Sequence, residues 1–252
     1  MKRIEFLGAP MDSATINDTV EYIEKSIATG AFLQHVVVNV AKLVSMRKDP
    51  LLAQSVKSSD VINIDGMGVV FGARFCGHYV PERVAGIDLF HRLLSMSAEN
   101  GFSAFLLGAK DEVVEEVVRV VTRLYPGLQI AGYHHGYFWG DEAAVVEKIR
   151  ESGAKLLFVA VTSPKKENFI NRWRDQLGVN FVMGVGGTFD VVAGEVKRAP
   201  VWMQNAGLEW LYRVIQEPGR MWKRYLVTNS EFAWLLVKEK IRVTFHAKVR
   251  PD

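Results

Sequence analysis

An α/β fold with a largely parallel sheet flanked by helices is predicted for roughly the first 195 residues, and three observations carry it. Short, continuous apolar runs rich in β-branched residues recur along this stretch, as expected of strands covered on both faces. Helical periods fill the intervals, the alternation that builds parallel sheets. Several runs end on glycine or a polar residue, the composition of strand ends that open onto a ligand crevice.

Met1 to Gly8 enters a short strand pattern that meets Pro10 and Asp12. A helix over Thr15 to Ile27 precedes the run Val36-Val37-Val38. Val61-Ile62-Asn63-Ile64 leads into Asp65-Gly66, and Ala104-Phe105-Leu106-Leu107 ends at Gly108. A helical stretch from Asp111 to Leu124 is followed by the turn Tyr125-Pro126-Gly127 and the run Leu128-Gln129-Ile130-Ala131. Another helix, Asp141 to Ser152, precedes Leu156-Leu157-Phe158-Val159-Ala160-Val161, which runs up to Ser163-Pro164. Asn180-Phe181-Val182-Met183 ends at Gly184. After Gly194 strand patterns stop, and Trp202, Trp210, Trp222 and Trp234 stand among basic residues on helical periods. The chain therefore divides into an α/β domain over 1–195 and a basic, Trp-rich helical appendage over 196–252.

Charge follows the same division. The net charge is +3, yet nine basic residues against three acidic ones from Arg213 to Arg250 give that segment a surplus of six. The rest of the chain is mildly acidic. Cys76 is the single cysteine, which excludes an internal disulfide framework and a multi-cysteine metal site. The N-terminus lacks a secretory leader pattern, and no segment approaches the ~20 apolar residues that span a bilayer. A cytoplasmic protein is expected.

Four segments at strand ends carry the candidate chemistry. Asn39, in Val38-Asn39-Val40-Ala41-Lys42, either caps the next helix or hydrogen-bonds a sugar or nucleotide. Asp65, in Asp65-Gly66-Met67-Gly68, is either an N-cap or a partly desolvated carboxylate suited to general-base work, with Gly66 and Gly68 allowing close backbone approach to a ligand. Arg83 and Asp88, in Arg83-Val84-Ala85-Gly86-Ile87-Asp88, either pair with each other or clamp a phosphate and hold a hydroxyl. The fourth is the pair Ser163-Pro164-Lys165-Lys166-Glu167 and Gly184-Val185-Gly186-Gly187-Thr188-Phe189-Asp190. Pro164 suits a first helical turn whose N–H groups face the crevice, and Gly186-Gly187 permit tight approach to a nucleotide.

Other classes are poorly served. Both glycine segments miss the dinucleotide fingerprint, because Phe71 and Phe189 stand where its third glycine belongs, so a nicotinamide-dependent oxidoreductase is disfavoured. His134-His135 suggest a metal pair, but neighbours on a strand point to opposite faces, and no metal site is expected. A non-catalytic nucleic-acid-binding module would use the basic aromatic tail, and the acidic remainder argues against it.

Taken together the segments resemble the WecG/TagA/CpsF family of bacterial glycosyltransferases (family 26) from about Val36 to Val237. Asn39 to Val44 with Arg47-Lys48-Asp49-Pro50, Asp65 to Val69, Arg83 to Asp88 and Ser163 to Glu167 carry the likeness. So do Tyr125-Pro126-Gly127, His134 to Phe138, Gly186 to Gly194, Lys197-Arg198-Ala199-Pro200, Gly207 to Arg213 and Gln216 to Tyr225. The resemblance implies a GT-E-like, Rossmann-like core and a metal-independent, inverting enzyme without a cofactor. It would move a ManNAc or ManNAc-uronate type sugar from a UDP-sugar donor to a polyprenyl-diphosphate-linked acceptor in cell-surface polysaccharide or teichoic acid assembly. A UDP-hexose transferase of exopolysaccharide assembly with another donor is the alternative.

By the same resemblance Asp65 is the catalytic base. The substrate-binding set is Asn39, Gly66, Gly68, Arg83, Asp88, Lys166, Gly186, Gly187, Phe189 and Asp190. Arg213, Arg220 and Arg224 face the diphosphates, of the departing UDP and of the lipid acceptor. Val37 stands where the family often has Thr, and Lys166 where Gln is common; both bear on which sugar is used. Trp222, Tyr225, Leu226, Phe232, Trp234, Leu235 and Leu236 interleave with Lys and Arg, the composition of a helix docking on an anionic membrane surface at the inner face. Such a helix packed on its own core is the other reading. Apolar positions on the early helices leave a homo-oligomer open.

Overall fold

The computed structural model describes residues 1–249, apart from the side chains of Arg220, Arg224 and residues 245–249. β1 (Lys2–Phe6) and β2 (Ala9–Ser13) form an antiparallel hairpin. After it, α1 (Ile16–Ala28) leads to β3 (Leu33–Val38), and α2 (Val40–Met46) and α3 (Pro50–Lys57) lead to β4 (Val61–Ile64). α4 (Met67–Phe75) and α5 (Gly86–Asn100) then carry the chain across to β5 (Ser103–Gly108). α6 (Asp111–Leu124), β6 (Gln129–His134), α7 (Glu142–Glu151), β7 (Leu156–Ala160), α8 (Lys165–Trp173), β8 (Phe181–Gly184) and α9 (Thr188–Val192) complete the alternation. α10 (Val201–Asn205), α11 (Glu209–Gln216) and α12 (Pro218–Val249) follow. Among the described residues no helix is long and apolar enough to cross a membrane.

Among the described residues, eight strands lie in one sheet in the order β1-β2-β4-β3-β8-β7-β5-β6, parallel throughout except for the β1–β2 pair. The sequence reading stopped at Pro10 and so missed β2. That proline is tolerated because the β2–β4 ladder is confined to Asp12 and Asn63. Buried Asp12 fixes the hairpin: it takes Arg3 Nε at 2.8 Å and accepts from the Ile62 amide at 2.7 Å.

Period-two alternation sends the strands' side chains to two apolar layers. Leu33, Val61, Leu106, Phe158 and Met183 face α1, α5, α6 and α9, whereas Val36, Ile62, Leu107, Leu157 and Val182 face α2, α3, α4, α7 and α8. Phe90 sits edge-on to Phe158 at 4.8 Å between ring centres in the first layer, where burial of such a ring contributes about 2–3 kcal/mol. A polar chain is threaded into this layer: His35 Nε2 lies 2.9 Å from Asn63 Oδ1, and Asn63 Nδ2 donates to Thr19 Oγ1 at 3.1 Å. α12 lays Phe232 and Leu235 into the opposite layer beside Val38, Leu43 and Val70.

β3 and β8 are neighbours, and the helices that follow them leave on opposite faces. That divergence marks the carboxyl ends of β3, β4 and β8 as the place where open parallel sheets form a ligand crevice.

Candidate active site

Asp65 leaves β4 with its amide bonded to the Val38 carbonyl at 2.9 Å, which sets it beside the end of β3. The helix after it begins at Gly66, whose φ of +100° favours glycine and which has no side chain to cap with. Asp65 is therefore not the helix cap. Its side chain is surrounded by protein on most sides while remaining half-exposed, as on the floor of a cleft. Burial pushes its carboxyl above the ordinary range, Arg83 pulls it down, Glu209 pushes it up, and Arg213 and Lys42 pull it down more weakly. A carboxylate held above its usual range is a stronger base at neutral pH than an exposed one.

Asn39 caps α2, its Oδ1 accepting from the Lys42 amide at 3.0 Å. Gly68 approaches α2 so closely that a Cβ there would lie 3.0 Å from Val40. The two helices on either side of Asp65 are thus packed tightly, and Gly68 makes that contact possible.

Arg83 and Asp88 are not primarily partners of each other. Arg83 Nη1 donates to Glu209 Oε2 of α11, with Asp88 at 4.0 Å, and Asp88 is gripped by Arg198 through two bonds of 2.5 and 2.8 Å. The sequence offered a local pair; the fold supplies partners more than a hundred residues away. Glu209 and Arg198 were missed as site residues, although both lie in segments that carried the resemblance.

Lys166 is nearly buried, its aliphatic stem laid over Gly184 where a Cβ would lie 2.8 Å away. Its ammonium stands 3.0 Å from Glu167 Oε1, and Lys42 Nζ reaches the same oxygen at 2.7 Å. This triad ties α2 to α8 beneath the crevice. Burial raises the Glu167 carboxyl, and the two lysines outweigh burial and hold it at about 2. Lys42 and Glu167 were missed as partners of each other, although both lie in segments that carried the resemblance.

At the end of β8, Gly186 has open space above its α-carbon, and Gly187 begins α9 with Asp190 Oδ2 3.6 Å from where its Cβ would be. Asp190 is half-buried and shifted upward by burial and by Glu195 and Glu217, with Lys110 opposing. Phe189, expected at the substrate, is instead fully buried against Phe90, so its ring is core and its place in the binding set is corrected. A helix that starts at Thr188 turns this residue inward.

His134 closes β6 and His135 already lies in the following loop, so the alternation ends between them. Their rings stand 4.3 Å apart rather than on opposite faces, and the His134 Nδ1 lies 2.9 Å from the His135 carbonyl. Among the described residues no group of three metal-ligating side chains forms.

α11 reaches the Asp65 site through Glu209 and Arg213, and α12 packs on α2 and α11. The α10–α11 turn is tight against α4, where a Cβ on Gly207 would lie 2.8 Å from Met67. Arg213 is exposed on α11 and acts electrostatically on Asp65. The Arg220 and Arg224 side chains lie outside the described residues. On α12, Phe232 and Leu235 are buried and Leu236 is partly buried, so those three are core contacts. Trp222, Leu226, Val227, Trp234, Val237 and Ile241 are exposed. At about 100° per residue these six positions occupy one side of the helix, opposite the packed one.

A family model described as the glycosyl transferase WecG/TagA/CpsF family matches residues 4–245. An N-acetylglucosaminyldiphosphoundecaprenol N-acetyl-beta-D-mannosaminyltransferase from Bacillus subtilis (strain 168) is 35% identical over 246 residues, which cover 96% of this chain and 94% of the relative. The enzyme of the same description from Bacillus spizizenii (strain ATCC 23059 / NRRL B-14472 / W23) is 34% identical over 246 residues, covering 98% and 93%.

Proposed function

The chain belongs to the WecG/TagA/CpsF family and is a glycosyltransferase, and on that premise we propose that it moves an N-acetylmannosamine-type sugar from UDP to N-acetylglucosaminyl-diphosphoundecaprenol with inversion. The supporting observation is Asp65: a half-exposed carboxylate at the carboxyl end of β4, held above its ordinary range and faced by Arg83, Lys42 and Arg213. In the proposed reaction the acceptor hydroxyl gives its proton to Asp65 as its oxygen bonds to the anomeric carbon. The bond from that carbon to the UDP phosphate breaks, and UDP leaves with the electron pair.

The leaving diphosphate needs positive charge where it develops. Helices α4 and α8 follow β4 and β7, so their N-terminal N–H groups stand at the carboxyl end of the sheet and suit phosphate oxygens. Arg213, with Arg220 and Arg224 in the same sequence region, would add full charges without a metal or other cofactor. Asn39, Gly66, Gly68, Arg83, Asp88, Lys166, Gly186, Gly187 and Asp190 remain the proposed substrate contacts. The exposed apolar side of α12, with Lys223, Lys238 and Arg242 nearby in sequence, would rest on the anionic inner membrane face where the lipid acceptor resides.

Asp65→Asn tests the base. The variant is expected to fold normally and to lose about 10²–10⁴-fold in turnover on a UDP-sugar and a synthetic prenyl-diphosphate-GlcNAc acceptor. Turnover near that of the parent removes Asp65 from the role.

A further inference from the structure

Resting on the reading of Asp65 as base, we infer that Glu209 is a positioning residue that holds the Arg83 guanidinium on α11 and so keeps it from pairing with Asp65. The geometry begins with Arg83, whose side chain is only 12% exposed. A cation so nearly buried requires a carboxylate partner. Glu209 Oε2 is the one it bonds; Asp88 stands off at 4.0 Å and is itself occupied by the two bonds from Arg198. The second Glu209 oxygen lies 3.6 Å from Arg198 Nε, a buried N–H with no hydrogen-bond acceptor of its own. Arg83, Glu209, Arg198 and Asp88 therefore close a ring of two cations and two anions.

Removing the charge of Glu209 leaves that ring with one cation in excess, and Arg83 is the member without a second close carboxylate. Asp65 is the carboxylate on which Arg83 already acts. Among the described residues, the charged groups facing Asp65 are Arg83 from the segment before α5, Lys42 from α2, and Glu209 and Arg213 from α11. Glu209 is the only anion among them. It works in two ways: it repels a proton-free Asp65 directly, favouring proton uptake, and it occupies the guanidinium that would otherwise neutralise the base. Because Glu209 belongs to α11, the strength of the base depends on that helix being docked.

The test is the pH dependence of kcat/KM for the full-length protein on UDP-sugar and prenyl-diphosphate-GlcNAc. Glu209→Gln is expected to move the acidic limb to lower pH by about one unit, as loss of a nearby like charge and gain of an opposite one require. The plateau should fall about tenfold with the weaker base. A Glu209 that only held α11 in place would lower the plateau and leave the limb where it was, and that result overturns the inference. Titrating the Asp65 carboxyl carbon by ¹³C NMR gives the same midpoint without turnover. If the Gln variant does not fold, Glu209→Asp replaces it: the shorter arm loosens its hold on Arg83, and the midpoint falls by less. An unchanged midpoint in the variant that folds again overturns the inference. Undiminished turnover by Asp65→Asn instead removes the base assignment, so the two failures are distinct.

Discussion

Glu167→Gln is expected to cost the fold about 3 kcal/mol at pH 7 and little near pH 2. Burial alone would push the Glu167 carboxyl up, but Lys42 at 2.7 Å and Lys166 at 3.0 Å hold it at about 2 against an ordinary 4.5. Because the folded value lies below the unfolded one, the unfolded chain takes up the proton first on acidification. The contribution is therefore complete above pH 4.5 and is lost as pH falls through about 2. A displacement of that size, at about 1.4 kcal/mol for each tenfold change in proton affinity, gives ~3 kcal/mol. That agrees with the ~3–5 kcal/mol expected when one partner of a buried ion pair is removed and its counter-charges are stranded. For a chain of this size it corresponds to roughly 10 °C in Tm. Urea unfolding of parent and variant at pH 7, 4.5, 3 and 2, with slopes compared, measures the gap directly. The gap should be widest at pH 7 and close between pH 4.5 and 2. A gap below about 1 kcal/mol at pH 7, or one that does not change with pH, refutes the reasoning.

Burial drives the His35 imidazole down to about 4 from 6.5, so it is neutral when folded and the unfolded chain protonates first. Stability should fall by about 3 kcal/mol between pH 6.5 and 4 on this account, and His35→Gln should flatten that limb; an equally steep limb in the variant rules it out. Gly108→Ala places a Cβ 2.4 Å from the Ala160 carbonyl oxygen at a φ of +127°, and should cost more than about 3 kcal/mol or prevent folding. Gly140→Ala, with open space around it, is the control expected to be near neutral by thermal melting. Trp222→Gln with Trp234→Gln should weaken flotation with anionic vesicles by about tenfold or more while turnover on a short, water-soluble acceptor stays unchanged. Equal flotation would show that the exposed side of α12 does not face lipid.

Most of the sheet is legible in the sequence because a strand buried on both faces is mostly apolar, as β7 is throughout, β5 is after Ser103 and β4 is apart from Asn63. β2 is not, since Pro10 and Asp12 break its apolar run and only the Arg3 ion pair and the Ile62 amide explain the aspartate. The strand ends also declare themselves, so Asp65, Asn39 and Gly186 could be read locally. What periodicity cannot reveal is the partner of a charge. Arg83 and Asp88 are five residues apart and of opposite sign, yet their bonds go to Glu209 and Arg198. Phe189 shows the converse: a motif position suggested ligand contact, and the start of α9 turned the ring into the core.

The ion pairs of the crevice bear on what α11 and α12 contribute. Lys42 and Lys166 are committed to Glu167, Arg83 to Glu209 and Arg198 to Asp88. Each of these cations is held by a carboxylate, with Lys42 and Lys166 sharing one, so the crevice offers an incoming nucleotide diphosphate little positive charge beyond that single buried surplus and the helix N-termini. Two partial charges of about half an electron do not match a leaving group carrying two to three negative ones. Arg213 is different: it is exposed, forms no ion pair among the described residues, and acts on Asp65 from α11. The cationic surplus of the segment that follows lies in the same direction along the chain. The charge needed at the transition state must then arrive with α11 and α12, the same elements whose Glu209 meets Arg83 and whose apolar side faces outward. On this reasoning, base strength, leaving-group stabilisation and contact with a lipid surface depend on one helical unit being docked.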